Sequence, residues 1–178
     1  MKLSPQKISA VAATAGAGLL LVGGLCGALG IRINSSRSIP LGFYVISDRT
    51  PDKGAYVLVC PPQNAVIEEA KRRGYLAAGF CPGGYGYLMK MVCAVQGDVV
   101  TITANGVSVN GAVLPFSRPL AKDAVGRPLA RYQPSTFTLR GSEVLLMSNV
   151  SGTSFDARYF GPVKRPQINT VIVPVFTW

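Results

Sequence analysis

The chain has 178 residues and no histidine, so a Ser-His-Asp triad is excluded and acyl-transfer chemistry would need another base. A serine nucleophile can work without histidine if a lysine that has lost its proton serves as the base. Ser38 lies in Ser36-Arg37-Ser38-Ile39-Pro40, and Lys90 in Tyr87-Leu88-Met89-Lys90-Met91-Val92-Cys93-Ala94-Val95. Read as a strand, the second segment puts Leu88, Lys90, Val92 and Ala94 on one face and Met89, Met91, Cys93 and Val95 on the other. Neither face offers a polar stripe, so the ammonium is expected in apolar surroundings. Burial of that kind lowers a lysine pKa, to about 5 to 6 at the extreme, and frees the amine to act as a base. Each residue also has an ordinary reading: a serine before proline suits a turn or strand start, and a lysine can snorkel from a strand end to solvent.

The elements that must position these groups begin with Ile8 to Ile31, 24 residues without a charge, preceded by Lys2 and Lys7. At about 1.5 Å per residue such a helix spans a hydrocarbon core of roughly 30 Å with some tilt. A cleaved signal peptide is the alternative, with small residues at Gly27-Ala28-Leu29-Gly30. The run exceeds the roughly 7 to 15 apolar residues of a signal-peptide core, which favours a retained anchor over residues 1–31. Lys2 and Lys7 argue for a cytoplasmic N-terminus, while Arg32 and Arg37 argue weakly against it. Ser38 follows the run by only seven residues, so its hydroxyl is expected at the membrane surface.

Residues 32–178 suffice for one domain with a real core. The formal charge of +10, from 18 basic and 8 acidic residues, would draw it to anionic lipid. Nucleic acid is not an expected partner, because the basic residues are scattered and the aromatics are not interleaved with them. Lys71-Arg72-Arg73, after Glu68-Glu69, reads as the solvated face of a short helix. Without histidine or a Cys-x-x-Cys pair, no metal site or cofactor is expected. Cys26 lies in the apolar run and Cys93 in a strand-like stretch. Cys60 and Cys81 are the candidate disulfide pair if the domain lies outside the cytoplasm; buried free thiols are the alternative.

Short runs of β-branched and aromatic residues between Gly, Pro and Asn turns predict a mostly antiparallel β domain. The expected strands cover 42–47, 55–59, 87–95, 99–104, 107–109, 136–139, 143–147 and 171–175. Pro174 suits an edge strand, and Asn105-Gly106 signals a two-residue hairpin in which both central residues have positive φ. Only 65–74 reads as helix, with acidic residues early, basic residues late and glycine at the stop. Residues 82–86 read as a loop, and 115–134 as an extended surface excursion.

Three segments resemble the boxes of the type I signal peptidase superfamily, in the form of its conjugative-transfer branch, the TraF peptidases. Asn34-Ser35-Ser36-Arg37-Ser38-Ile39-Pro40-Leu41-Gly42-Phe43-Tyr44 looks like the serine box. The segment from Tyr87 to Gln96-Gly97-Asp98 resembles the lysine box, and Ser151-Gly152-Thr153-Ser154-Phe155-Asp156-Ala157-Arg158-Tyr159-Phe160-Gly161-Pro162 the third. Their order behind one apolar segment spans essentially the whole chain. The resemblance implies a signal-peptidase-like β domain with Ser38 as nucleophile and Lys90 as general base. It implies Ser36 as a hydroxyl donor to the oxyanion beside the Ser38 amide, Ser154 as the group that orients Lys90, and Asp156 with Arg158 as a supporting ion pair. Met91 stands where the family commonly has arginine, and Gln96 and Ala157 also depart from its pattern.

The resemblance further implies the bacterial inner membrane with the catalytic domain on its periplasmic face. It implies a conjugative pilin precursor as substrate, matured by cleavage or by cyclisation through transpeptidation, and contacts with conjugation machinery. A general signal peptidase and a non-catalytic membrane-anchored β module are the rival readings.

Overall fold

In a computed structural model that describes residues 4–178, the uncharged run forms helix α1 (Pro5–Ala28). Its first residue is proline, whose fixed φ suits a helix start. Its most apolar 18-residue stretch has a mean hydropathy of 1.9, and none of the helix residues is buried. It is long and apolar enough to cross a membrane. Lys2, invoked above for orientation, lies outside the described residues.

The helix stops earlier than the apolar run. Gly30 adopts φ +71°, and its carbonyl accepts from the Ile46 amide at 3.0 Å. A Cβ at Gly30 would stand 2.4 Å from Ile46 Cγ1, so the tight turn out of the helix depends on glycine. Ile31, expected within the membrane run, instead opens strand β1 (Ile31–Asn34).

The strands that follow are β2 (Gly42–Ser47) and β3 (Tyr56–Val59), then helix α2 (Ala65–Arg72) and β4 (Ala78–Cys81). Next come β5 (Leu88–Ala94), β6 (Val99–Thr103), β7 (Gly106–Val109), β8 (Ala112–Val113), β9 (Thr136–Thr138) and β10 (Glu143–Met147). The one-turn helix α3 (Ala157–Phe160) leads to β11 (Val163–Lys164) and β12 (Ile168–Thr177). All named strand pairs are antiparallel, in a seven-stranded sheet ordered β1-β2-β12-β3-β5-β10-β11 and a four-stranded sheet ordered β8-β7-β6-β9. The mostly β expectation holds, with α3 added to the single short helix foreseen. One apolar cluster joins the two sheets, including Val57 and Val92 from the first and Val100, Ile102 and Val107 from the second.

Local signals were read with unequal success. Asn64 caps α2, its side chain accepting from the Ile67 amide at 3.0 Å, a use of Asn not anticipated in the sequence. The β6–β7 hairpin forms, but Thr103 pairs with Gly106, so its central residues are Ala104 and Asn105, without positive φ. The Asn-Gly turn with positive φ at both residues is Asn110-Gly111, at +51° and +85°, between β7 and β8. Pro174 lies in a strand flanked by β2 and β3, contrary to the edge expectation. However, β3 pairs only as far as Ile172, so the proline occupies the half of β12 with one neighbour and adjoins a register shift.

The 115–134 segment is an excursion, as expected, but a pinned one. Lys122 bridges to Pro128, and Asp123 accepts the amides of Val125 and Arg127. Arg73 of the α2 cap donates to the Pro128 carbonyl at 2.8 Å.

Candidate active site

Asn34, the last residue of β1, is buried and organises the serine loop. Its Nδ2 donates to the carbonyls of Ser36, Ile39 and Pro40 at 2.7, 2.8 and 3.0 Å. Its Oδ1 accepts from the Ser36 amide and hydroxyl at 3.2 and 3.0 Å. One amide therefore fixes a turn of seven residues from both sides of Ser38. Tyr44 clamps the far end, donating its hydroxyl to the Pro40 carbonyl at 2.6 Å; burial, then the neighbouring Tyr56, pushes its pKa up to about 12. Ser38 is half-buried, and its Oγ lies 2.9 Å from Ser36 Oγ.

Lys90 lies on the core face of β5 with Val92 and Ala94, as the alternation predicted. It pairs with Val57 of β3 and is 3% exposed, so the snorkelling alternative is overturned. Its Nζ donates to Ser154 Oγ at 2.9 Å, its one hydrogen-bond partner among the described residues. Burial pushes its pKa down to about 8; Asp156 opposes that shift and Arg158 adds to it.

Asp156 and Arg158 are both 0% exposed. The guanidinium grips the carboxylate through Nε and Nη2, each at 2.8 Å. Its remaining donors hold the carbonyls of Phe116, Arg118, Gly152, Ser151 and Ser154. Arg158 thus ties the backbone that carries Ser154 to the root of the 115–134 excursion. Asp156 also caps α3, accepting from the Arg158 amide, and takes the Ser148 amide at the end of β10. The helix ends at Gly161, φ +80°, where a Cβ would meet the Tyr132 ring at 2.2 Å.

Ser36, Ser38, Lys90 and Ser154 line one cavity of about 470 Å³, walled by Met89 and Phe155 among others. The structure brings all six expected site residues into one region. In this arrangement Ser38 Oγ is bonded to Ser36 and Lys90 Nζ to Ser154; there is no Ser38–Lys90 hydrogen bond among the described residues. Catalytic hydrogen bonds commonly tighten only with substrate bound, so the lack of that contact does not by itself separate the two residues functionally.

Sequence reasoning missed two organisers. Asn34 was visible as a small amide just before a serine pair, in the loop-forming position favoured by Asx turns. Ser148 accepts the amides of Val150 and Ser151 and donates to the Arg37 carbonyl at 3.5 Å; no local signal marks it, since Arg37 is 111 residues away. Cys60 and Cys81 do form a disulfide, tying the residue after β3 to the end of β4. Cys93 is free and burial pushes its thiol up to about 12, a poor nucleophile.

The signal peptidase, peptidase S26, family model matches residues 6–178. The chain is 54% identical over 173 residues to a plasmid transfer protein TraF of Escherichia coli, covering 97% of each. It is 41% identical over 153 residues to a probable conjugal transfer protein TraF of Sinorhizobium fredii, covering 84% of this chain and 78% of that one. A signal peptidase I from Enterococcus faecalis superposes with a TM-score of 0.43 at 16% identity, over 71% of this chain and 100% of that one. The assignment rests on the sequence matches alone.

Proposed function

The chain belongs to the signal peptidase, peptidase S26, family, and from that premise we propose a membrane-anchored serine endopeptidase in which Ser38 is the nucleophile and Lys90 the general base. The observation that carries this reading is the amine of Lys90, 3% exposed and pushed down to about 8, in the same cavity as Ser38. At pH 7 about one molecule in ten has the amine neutral, and a substrate that expels water from the cavity raises that fraction.

Neutral Lys90 takes the Ser38 proton as Oγ attacks the scissile carbonyl. The oxyanion is stabilised by the Ser38 amide and by the Ser36 hydroxyl, which turns away from Asn34 to donate. Collapse breaks the peptide bond, and the Lys90 ammonium returns its proton to the leaving amine. The acyl-enzyme is then resolved by water or by an amine. Ser154 keeps Nζ aimed into the cavity throughout, and the Asp156–Arg158 pair holds Ser154.

The polypeptide substrate is read as binding by strand addition: β1 is an outer strand of its sheet and its Ile33 and Asn34 line the cavity. Relatives named for plasmid and conjugal transfer favour a conjugative pilin precursor, cut at the outer face of the inner membrane. The disulfide suits that compartment, and the basic domain suits anionic lipid and partners in the conjugation machinery. Resolution by the substrate's own amino terminus would yield a cyclic pilin.

Mass spectrometry of a candidate pilin produced with wild-type and Ser38→Ala protein tests the reading. Processing with wild type only is expected, and a product lighter by one further water reports cyclisation. An unprocessed precursor in both, or a processed one in both, overturns the assignment.

A further inference from the structure

The catalytic cavity does not end at Phe155. Tyr75, Thr153 and Phe155 are shared with a second cavity of about 440 Å³, which Leu120, Leu129 and Tyr159 also line. Its floor is an aromatic wall, with Tyr75 and Phe155 centroids 5.6 Å apart and Phe155 stacked on Tyr159 at 5.5 Å. Its roof is the excursion already described, and that roof is fixed in place. Tyr75 donates its hydroxyl to Asp123, and the Leu120 amide donates to Tyr159 Oη at 3.0 Å. Arg127 reaches back to both Asp123 and the Arg73 carbonyl.

The chemistry of the lining selects the occupant. Asp123 is the carboxylate at this cavity, and its oxygens are already taken by Tyr75, Arg127 and two backbone amides. It has no call for a cation. Apart from Lys122 and Thr153, what remains is alanine, leucine and aromatic surface, in a preformed space within the roughly 300 to 1,000 Å³ of ligand pockets. Three walls in common make it continuous with the cleft that holds the scissile bond.

We propose that this second cavity is a specificity subsite, taking one large aliphatic or aromatic side chain of the same polypeptide that is cut at Ser38. The proposal rests on the peptidase reading above. The 115–134 excursion is then a selectivity element held to the catalytic region by Arg158, which binds the Phe116 and Arg118 carbonyls at the root of the loop.

The test uses the full chain in detergent with an internally quenched random-peptide library, reading cleavage sites by mass spectrometry and comparing Leu129→Trp, which fills the cavity. Wild type is expected to prefer Phe or Leu over Ala at one fixed position by about 10- to 200-fold in kcat/KM. Leu129→Trp is expected to erase that preference, with the loss appearing in KM and the thermal midpoint close to wild type. Leu120→Trp, entering from another side, repeats the experiment should Leu129→Trp fold poorly. A preference that survives both substitutions, or no preference at all, overturns the subsite while leaving the peptidase reading intact. Cleavage that persists in Ser38→Ala overturns the peptidase reading instead. Displayed random peptides captured by Ser38→Ala protein give an answer without turnover. A fixed apolar position lost with Leu129→Trp supports the subsite, and captured sequences without one count against it.

Discussion

Lys90 and the Asp156–Arg158 pair are withdrawn from water within one region, but their surroundings differ. The guanidinium has the carboxylate and five backbone carbonyls around it. The ammonium has a single neutral hydroxyl. A buried ion pair whose donors and acceptors are all partnered holds backbone in place. An ammonium with one neutral partner releases its proton more readily, as the proposed general base would require. Rigidity and the proposed reactivity thus draw on the same apolar burial, separated by the number of partners supplied.

Removing either side of this contrast should have opposite effects on stability. Lys90→Met is expected to lose activity by about 10²- to 10⁴-fold or to background, measured as precursor processing. The same variant should unfold at higher denaturant, because the folded-state pKa of about 8 lies below the ordinary 10.5. That difference corresponds to a cost on the order of 3 kcal/mol for the charged form at neutral pH. Arg158→Ala should instead destabilise by about 3 to 5 kcal/mol, leaving Asp156 buried without its partner; an unchanged denaturation midpoint would remove the structural role assigned to the pair.

Smaller effects sharpen the comparison. Ser36→Ala should slow processing by about 10²- to 10³-fold with little change in KM, as loss of one oxyanion donor does. A defect confined to KM would reassign Ser36 to substrate binding. The pH profile comes last in size: kcat/KM should fall about tenfold per unit as pH drops below 8, with that limb absent or moved in Ser154→Ala. Stability should rise with pH between about 8 and 10.5, where the unfolded chain still binds the proton that folded Lys90 has released. Lys90→Met should flatten that rise.

Lys90 was legible because side chains alternate between the two faces of a strand, and β5 keeps buried Lys90, Val92 and Ala94 on one face, with half-buried Met89, Met91 and Cys93 on the other. The serine loop was legible as a motif but not as a structure. Its geometry is set by Asn34 at the end of a four-residue strand, and that strand's first residue, Ile31, reads equally well as the tail of an apolar helix. Arg158's contacts with residues 116 and 118 lie about forty positions away, beyond any local period. The excursion carries too many prolines for periodicity to declare its hairpin, which exists because Asp123, Tyr75 and Arg73 hold it. The Asn-Gly turn at 110–111 was as strong a signal as the one at 105–106, and only pairing across the sheet distinguishes them.

The glycine hinge between α1 and β1 has almost no slack. Gly30 is hydrogen-bonded to Ile46, and β1 is zipped to β2 along all four of its residues. On the proposed reading, with α1 in a bilayer and Ser38 as nucleophile, that serine could not range over the lipid surface on a tether. It would work like a blade bolted at one height, and where along an emerging chain the cut falls would be set by distance from the membrane as well as by the residues around the bond.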